Sequence, residues 1–244
     1  MCYNYGMRSK NINKSISSSL FGLLIIGVIV TGLWFESSPW SPLLTAKISH
    51  HVVNGQEAQA IKLLLWQSEH ALTEHQENDS LWKAAILASL HSENTDQARD
   101  LLQRCIERPN FPHISEAYAR LAILVAEPMP RKAAEYWQLA IQANPDHKLV
   151  AQWWINVANI YEMIDRPVEA IDAWEHVMAY DDNISIARIS LGRLQLNIDP
   201  DIALQHFYTL KGHDMEGKTA TLGTQLALWE MERQGVLADG DADD

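Results

Sequence analysis

Between residues 154 and 177 apolar side chains recur at helical spacing, with one interruption. Trp154, Val157, Ala158 and Tyr161 fall at i, i+3, i+4 and i+7 and so share one face of a helix, and Ala170, Trp174 and Val177 repeat that spacing on a second. Arg166-Pro167 lies between them, where proline suits a turn or a first helical position but not a helix interior. The pattern predicts a helical hairpin. Its small residues, Ala158 and Ala170, let the two backbones approach closely.

Related patterns extend in both directions. Trp82, Ala98, Leu102 and Cys105 keep the offsets of Trp154, Ala170, Trp174 and Val177, with the polar run from Ser92 to Asp96 as the intervening turn. Tyr118, Leu121 and Ala122 begin a hairpin that Ala133, Trp137, Ala140 and Pro145 complete, one residue short at the Pro128 to Pro130 turn. Leu191, Gly192, Ala203, Phe207 and Leu210 make a degenerate copy, and residues 43–76 a weaker first hairpin around Gly55. Periodicity alone therefore predicts an all-α array.

The offsets resemble the tetratricopeptide repeat, W-x2-L-G-x2-Y followed by A-x3-F, over roughly residues 79–212. In that family the first helix of each hairpin lines a groove, with ligand-facing residues at repeat positions two, five, nine, twelve and thirteen. Carried onto this chain, the resemblance nominates Lys83, Leu87 and His91, then Glu116, Ala119 and Ile123, then Gln152, Ile155, Asn159 and Glu162. Members that clamp a chaperone's C-terminal carboxylate use lysine, asparagine and arginine at set positions. Here Lys83 is followed by Leu87 where asparagine belongs, and Gln152 and Asn156 stand where cations should, so that clamp is rejected. Leu87, Ile123, Ile155 and Asn159 suit an apolar side chain plus main-chain hydrogen bonds from an extended or helical peptide.

A different pattern occupies the N-terminus. Between Lys14 and Glu36 the chain is uncharged and rich in Leu, Ile, Val and Phe, and a helix of about 20 such residues crosses a bilayer core. Arg8, Lys10 and Lys14 precede it and Glu36 follows, which by the positive-inside rule keeps the short tail cytoplasmic and sends the array outward. A cleaved signal needs paired small residues before the cut. Thr31 to Glu36 supplies no good pair, so an uncleaved anchor is expected. The division read from the chain is a basic tail at 1–16, an anchor at 17–35, a linker with the weak hairpin at 36–78, repeats at 79–212, a capping helix at 213–234 and an acidic tail at 235–244. In the capping helix Leu222, Leu226, Leu228 and Trp229 form the apolar face expected to cover the last repeat.

Charge narrows the partners. Of 31 acidic and 19 basic residues, three basic ones precede the span, which leaves a strongly acidic outer region that repels phosphate backbones and anionic headgroups. Nucleic acid and peripheral lipid are excluded as partners; other proteins remain. Cys2 and Cys105 fall on opposite sides of the expected membrane, so they cannot pair, and Cys105 occupies a packing position. No HExxH, P-loop, GxSxG or CxxC is present, the histidines lack ligand spacing, and the terminal Asp239 to Asp244 run lacks the calcium loop's glycine and final glutamate. No catalytic residue, metal or cofactor is expected.

The layout resembles the membrane-tethered periplasmic repeat proteins of Gram-negative bacteria, and within them the tetratricopeptide subunits of cytochrome c maturation systems, through the tryptophan-containing second helix Ala170 to Met178. That resemblance implies a non-enzymatic inner-membrane adaptor presenting protein or peptide clients in the periplasm. The other expectation is an accessory subunit of a secretion, translocation or envelope-assembly complex. An affinity capture separates them by transient clients against a fixed stoichiometric set.

Overall fold

Proline punctuates the helices with regularity. Pro130, Pro167 and Pro200 each stand at the start of a helix, where the missing N–H would have had no partner and the fixed φ is already helical. The computed structural model describes residues 42–90, 95–180, 184–210 and 217–235, and the described residues contain eleven helices and no strand. They are α1 Pro42–Val53, α2 Glu57–Glu69, α3 Glu74–Ser89, α4 Thr95–Ile106, α5 Ile114–Val125, α6 Pro130–Ala143, α7 Val150–Met163, α8 Pro167–Tyr180, α9 Ser185–Gln195, α10 Pro200–Thr209 and α11 Gly217–Gln234. The expected anchor at 17–35 and the tails at either end lie outside the described residues. Among those described, no helix is long and apolar enough to cross a membrane.

The chain divides at Leu90 into two units. In the first, α2 packs on α1 and on α3. Gly55, at φ 67°, ends α1: its N–H donates to the Val52 carbonyl at 3.2 Å and the Gln56 N–H donates to His51 at 2.8 Å, the paired bonds of a Schellman stop. Thr73 caps α3 by accepting from the Gln76 N–H at 3.3 Å.

The second unit holds α4 to α11, each helix packed on the next, with α9 also meeting α11. Contact mainly between consecutive helices is what stacked hairpins produce. The α7–α8 hairpin shows the mechanics. Asp165 takes φ 56°, its N–H donates to Glu162 at 3.1 Å and the Arg166 N–H donates to Tyr161 at 2.9 Å, so α7 stops as α1 does and Pro167 opens α8. The core between α5 and α9 interleaves large and small side chains: Trp137, Trp153, Trp174, Ile141, Val157 and Leu191 against Ala122, Ala133, Ala140, Ala158, Ala173 and Ala187, all buried. Alanine on one helix leaves room for tryptophan from the next.

Cys105 is fully buried on α4, and burial pushes its thiol up to about 12 against the opposing pull of Arg108 and Arg104. It is a packing residue and a poor nucleophile at neutral pH.

The end of the unit departs from expectation. α11 does pack on α10 and α9, but through Ala220, Gly223, Ala227 and Met231, while Leu222, Leu226, Leu228 and Trp229 are exposed. The reason is Phe207. This buried ring on α10 lies between Gly192 of α9 and Gly223 of α11: a Cβ on Gly192 would stand 2.7 Å from its Cζ, and one on Gly223 would overlap its Cδ1. Only a glycine and alanine face can come that close to a ring, so close packing of Phe207 outweighs burial of the leucines.

Candidate functional site

The ten residues nominated from the repeat arithmetic separate into groups. Ile123, exposed on α5, and Asn159, exposed on α7, line one cleft of about 270 Å³ together with Ala126, Trp137, Asn156 and Ile160. Trp137 and Ile160 are buried and form an apolar floor. Asn156 and Asn159 are three residues apart on α7 and so share a face. Gln152, exposed one turn before, donates from Nε2 to Asn156 Oδ1 at 3.4 Å. The cleft therefore offers one apolar slot beside two carboxamides, each carrying an acceptor and two donors.

Lys83 and Leu87 line a second cleft, of about 260 Å³, within the first unit. Ile48, Val52, Leu64, Ile86 and Leu90 complete it, and Lys83 is its one polar residue, donating from Nζ to Asp79 at 2.6 Å. Leu87 is only 8% exposed, whereas Ile123, at the same repeat position, is 62% exposed. His91 lies outside the described residues.

The remaining nominees do other work. Ala119 is buried in the core and Ile155 packs against it. Glu116 accepts from Ser115 Oγ at 2.9 Å and lies 3.7 Å from His147 Nε2. His147 is stacked on Trp153 with ring centroids 4.5 Å apart, so it is not the solvated histidine that isolated spacing suggests. Glu162 accepts from Trp174 Nε1 at 2.7 Å and pairs with Arg193, tying α7, α8 and α9 together. Its carboxylate is committed to the scaffold instead of facing a ligand. The signal was the tryptophan itself: indole in place of the usual phenylalanine brings a buried N–H that needs an acceptor.

Among the described residues no group of three His, Cys, Asp or Glu is arranged to hold a metal. Sequence reasoning met Asn156 only as a residue standing where the clamp's cations should be, and did not bring Ala126 or the floor residues Trp137 and Ile160 to this cleft. Those come from helix-to-helix packing, which spacing within one helix does not report.

No protein-family model matches the sequence, and no curated protein matches it significantly. Solved structures do match. The crystal structure of MamA protein shares 14% identity over 82% of this chain and 97% of its own, with a TM-score of 0.50. YrrB, described as a tetratricopeptide-repeat protein with an unusual peptide-binding site, shares 15% over 66% and 86%, with a TM-score of 0.49. A Podospora anserina putative kinesin light chain with nearly identical repeats shares 16% over 81% and 99%, also with a TM-score of 0.49. Identity this low speaks to the fold alone. With the hairpin periodicity of residues 154–177 and the mainly sequential packing of α4 to α11, it gives this chain the fold of tetratricopeptide-repeat proteins.

Proposed function

We propose that the chain is a non-enzymatic scaffold that holds polypeptide clients, with the α5–α6–α7 cleft as its principal contact. The observation that carries this is the pairing of an exposed Ile123 over the Trp137 and Ile160 floor with the adjacent Asn156 and Asn159 carboxamides. An extended segment can insert one apolar side chain there while the asparagines pair with its main-chain N–H and C=O groups. Recognition of that kind tolerates many sequences, which is what an adaptor needs.

In the same proposal residues 17–35 tether the array to an inner membrane with the repeats on the periplasmic side. Presentation of an unfolded apocytochrome segment for haem attachment is one particular case. A C-terminal reporter fusion is expected to report a periplasmic end, and a cytosolic one would overturn the topology.

The cleft is tested by Ile123→Glu with Asn159→Ala. Both side chains are exposed, so helicity and melting temperature should hold while affinity capture of client polypeptides in mild detergent falls about tenfold or more. Unchanged capture would put the site elsewhere. Leu87→Glu is a poor probe, because Leu87 is buried and its substitution disturbs the fold.

A further inference from the structure

The client cleft has a counterpart one repeat further along, and there it is closed. In the cleft, Ala126 of α5 and Asn159 of α7 stand beside Trp137 of α6. The same repeat positions of the next hairpin hold Glu162 of α7, Arg193 of α9 and Trp174 of α8. The backbones of α5 and α7 stay apart, as do those of α7 and α9, so each pair is joined through the tryptophan helix between them. Between α5 and α7 this leaves the open cleft of about 270 Å³, with the Trp137 ring in its lining. Between α7 and α9 the gap is bridged: Glu162 accepts from Trp174 Nε1 at 2.7 Å and pairs with Arg193, and Trp174 is fully buried. Two replacements close it, glutamate for alanine and arginine for asparagine.

The closure is weak enough to break. An ion pair with a solvent-exposed partner shifts an equilibrium by about fivefold at most. The two partners also differ in how readily each can leave. The side chain of Arg193 is 54% exposed and that of Glu162 21%. Arg193 swung into solvent regains its hydration, whereas Glu162 stripped of its cation is a mostly buried carboxylate left uncompensated, which is costly. An occupant that opens the slot therefore brings a cation and not an anion, since a lysine or arginine in the place of Arg193 keeps Glu162 paired. The net charge of the chain, −12, draws such a segment in and repels an acidic one. An apolar side chain next to that cation then meets Trp174, as one in the open cleft meets Trp137.

We infer that α7, α8 and α9 form a second client slot, held shut by Arg193 and opened by an apolar residue flanked by lysine or arginine, which displaces Arg193 from Glu162. Resting as it does on a chain that holds polypeptides, this slot adds a preference that the open cleft lacks: basic clients over acidic ones. The two slots share α7 but have different tryptophans. Trp137 reports on the open one and Trp174 on the latched one, so each can fail without the other.

Fluorine NMR of the full chain in detergent, labelled with fluorotryptophan, reads both slots, with Trp137→Phe and Trp174→Phe assigning the two resonances. The probes are the peptides acetyl-Ser-Lys-Leu-Lys-Ser-amide and acetyl-Ser-Glu-Leu-Glu-Ser-amide, titrated to about 10 mM. The lysine peptide is expected to shift both resonances, and the glutamate peptide that of Trp137 alone. Arg193→Asn installs the residue of the open cleft at an exposed position. It should leave helicity intact and tighten the Trp174 response to the lysine peptide about fivefold, because no latch has to be displaced. Arg193→Lys keeps the latch and should respond within about twofold of wild type. Glu162→Gln keeps an acceptor for the indole but should abolish the preference for the lysine peptide at Trp174. A Trp174 resonance that the lysine peptide leaves unmoved in Arg193→Asn, or that both peptides move equally in the wild-type chain, would overturn the inference. Movement of Trp137 without Trp174 sinks the latched slot and leaves the open cleft standing. Movement of Trp174 without Trp137 does the reverse.

Discussion

Trp174→Ala is expected to lower the unfolding free energy by about 3–5 kcal/mol, the largest single loss available in the second unit. Trp174 is the largest fully buried side chain among the described residues. It lies in the cluster with Trp153, Val157, Ala173 and Leu191, so its removal opens a cavity where α7, α8 and α9 meet. Truncation also deprives Glu162 of the indole N–H. Because contacts run mainly between helices consecutive in the chain, the loss should not spread evenly but divide the array. Hydrogen exchange should show α7 to α9 opening first, with α5 and α6 still protected. Trp174→Phe separates the two contributions, since it keeps most of the packing and loses the hydrogen bond, for about 1–2 kcal/mol. A loss under about 1 kcal/mol for the alanine variant in urea unfolding would contradict the packing described here.

The contrast between Trp174 and Glu162 shows what the sequence carries and what it does not. Ala170, Trp174 and Val177 were legible as a buried stripe because burial at i, i+4 and i+7 is a property of one helix. So were the stops: Gly55 is free to take the positive φ that ends a helix, and Pro167 suits a first helical position but not an interior. Glu162 was assigned to the groove by repeat position, yet its partners lie twelve and 31 residues away, on the next two helices. Leu87 and Ile123 occupy the same repeat position with opposite exposure. Ile48 and Val52 of α1 line the cleft beside Leu87, whereas Ile123 has no such cover. Position in a repeat predicts which way a residue faces on its helix, but whether a neighbour lies over that face depends on helices outside the repeat.

α11 is the sharper case, because hydrophobic patterning pointed to the wrong face. The expected outcome of Gly223→Leu is that α11 undocks, with a stability loss of about 3 kcal/mol. Two effects of opposite sign compete. Replacing a mid-helix glycine by leucine gains up to about 1 kcal/mol of helix propensity. Against that, even one added carbon overlaps the Phe207 ring, and Phe207 cannot retreat because Gly192 closes its other side at contact distance. Overpacking a rigid ring held on both faces outweighs the propensity gain, so the net sign is destabilising. Gly223→Ala should follow in the same direction by about 1 kcal/mol, since its small propensity gain offsets part of the clash. Phe207→Leu removes the flat ring and should lose stability alone, but combined with Gly223→Ala it should recover part of the loss, a coupling of about 1 kcal/mol or more between residues in contact. Limited proteolysis after α10, with amide exchange of α11, reads the docking directly. If Gly223→Leu leaves both unchanged, Phe207 is not wedged between the two glycines. The leucine face, and not the glycine face, would then be the one that closes the array.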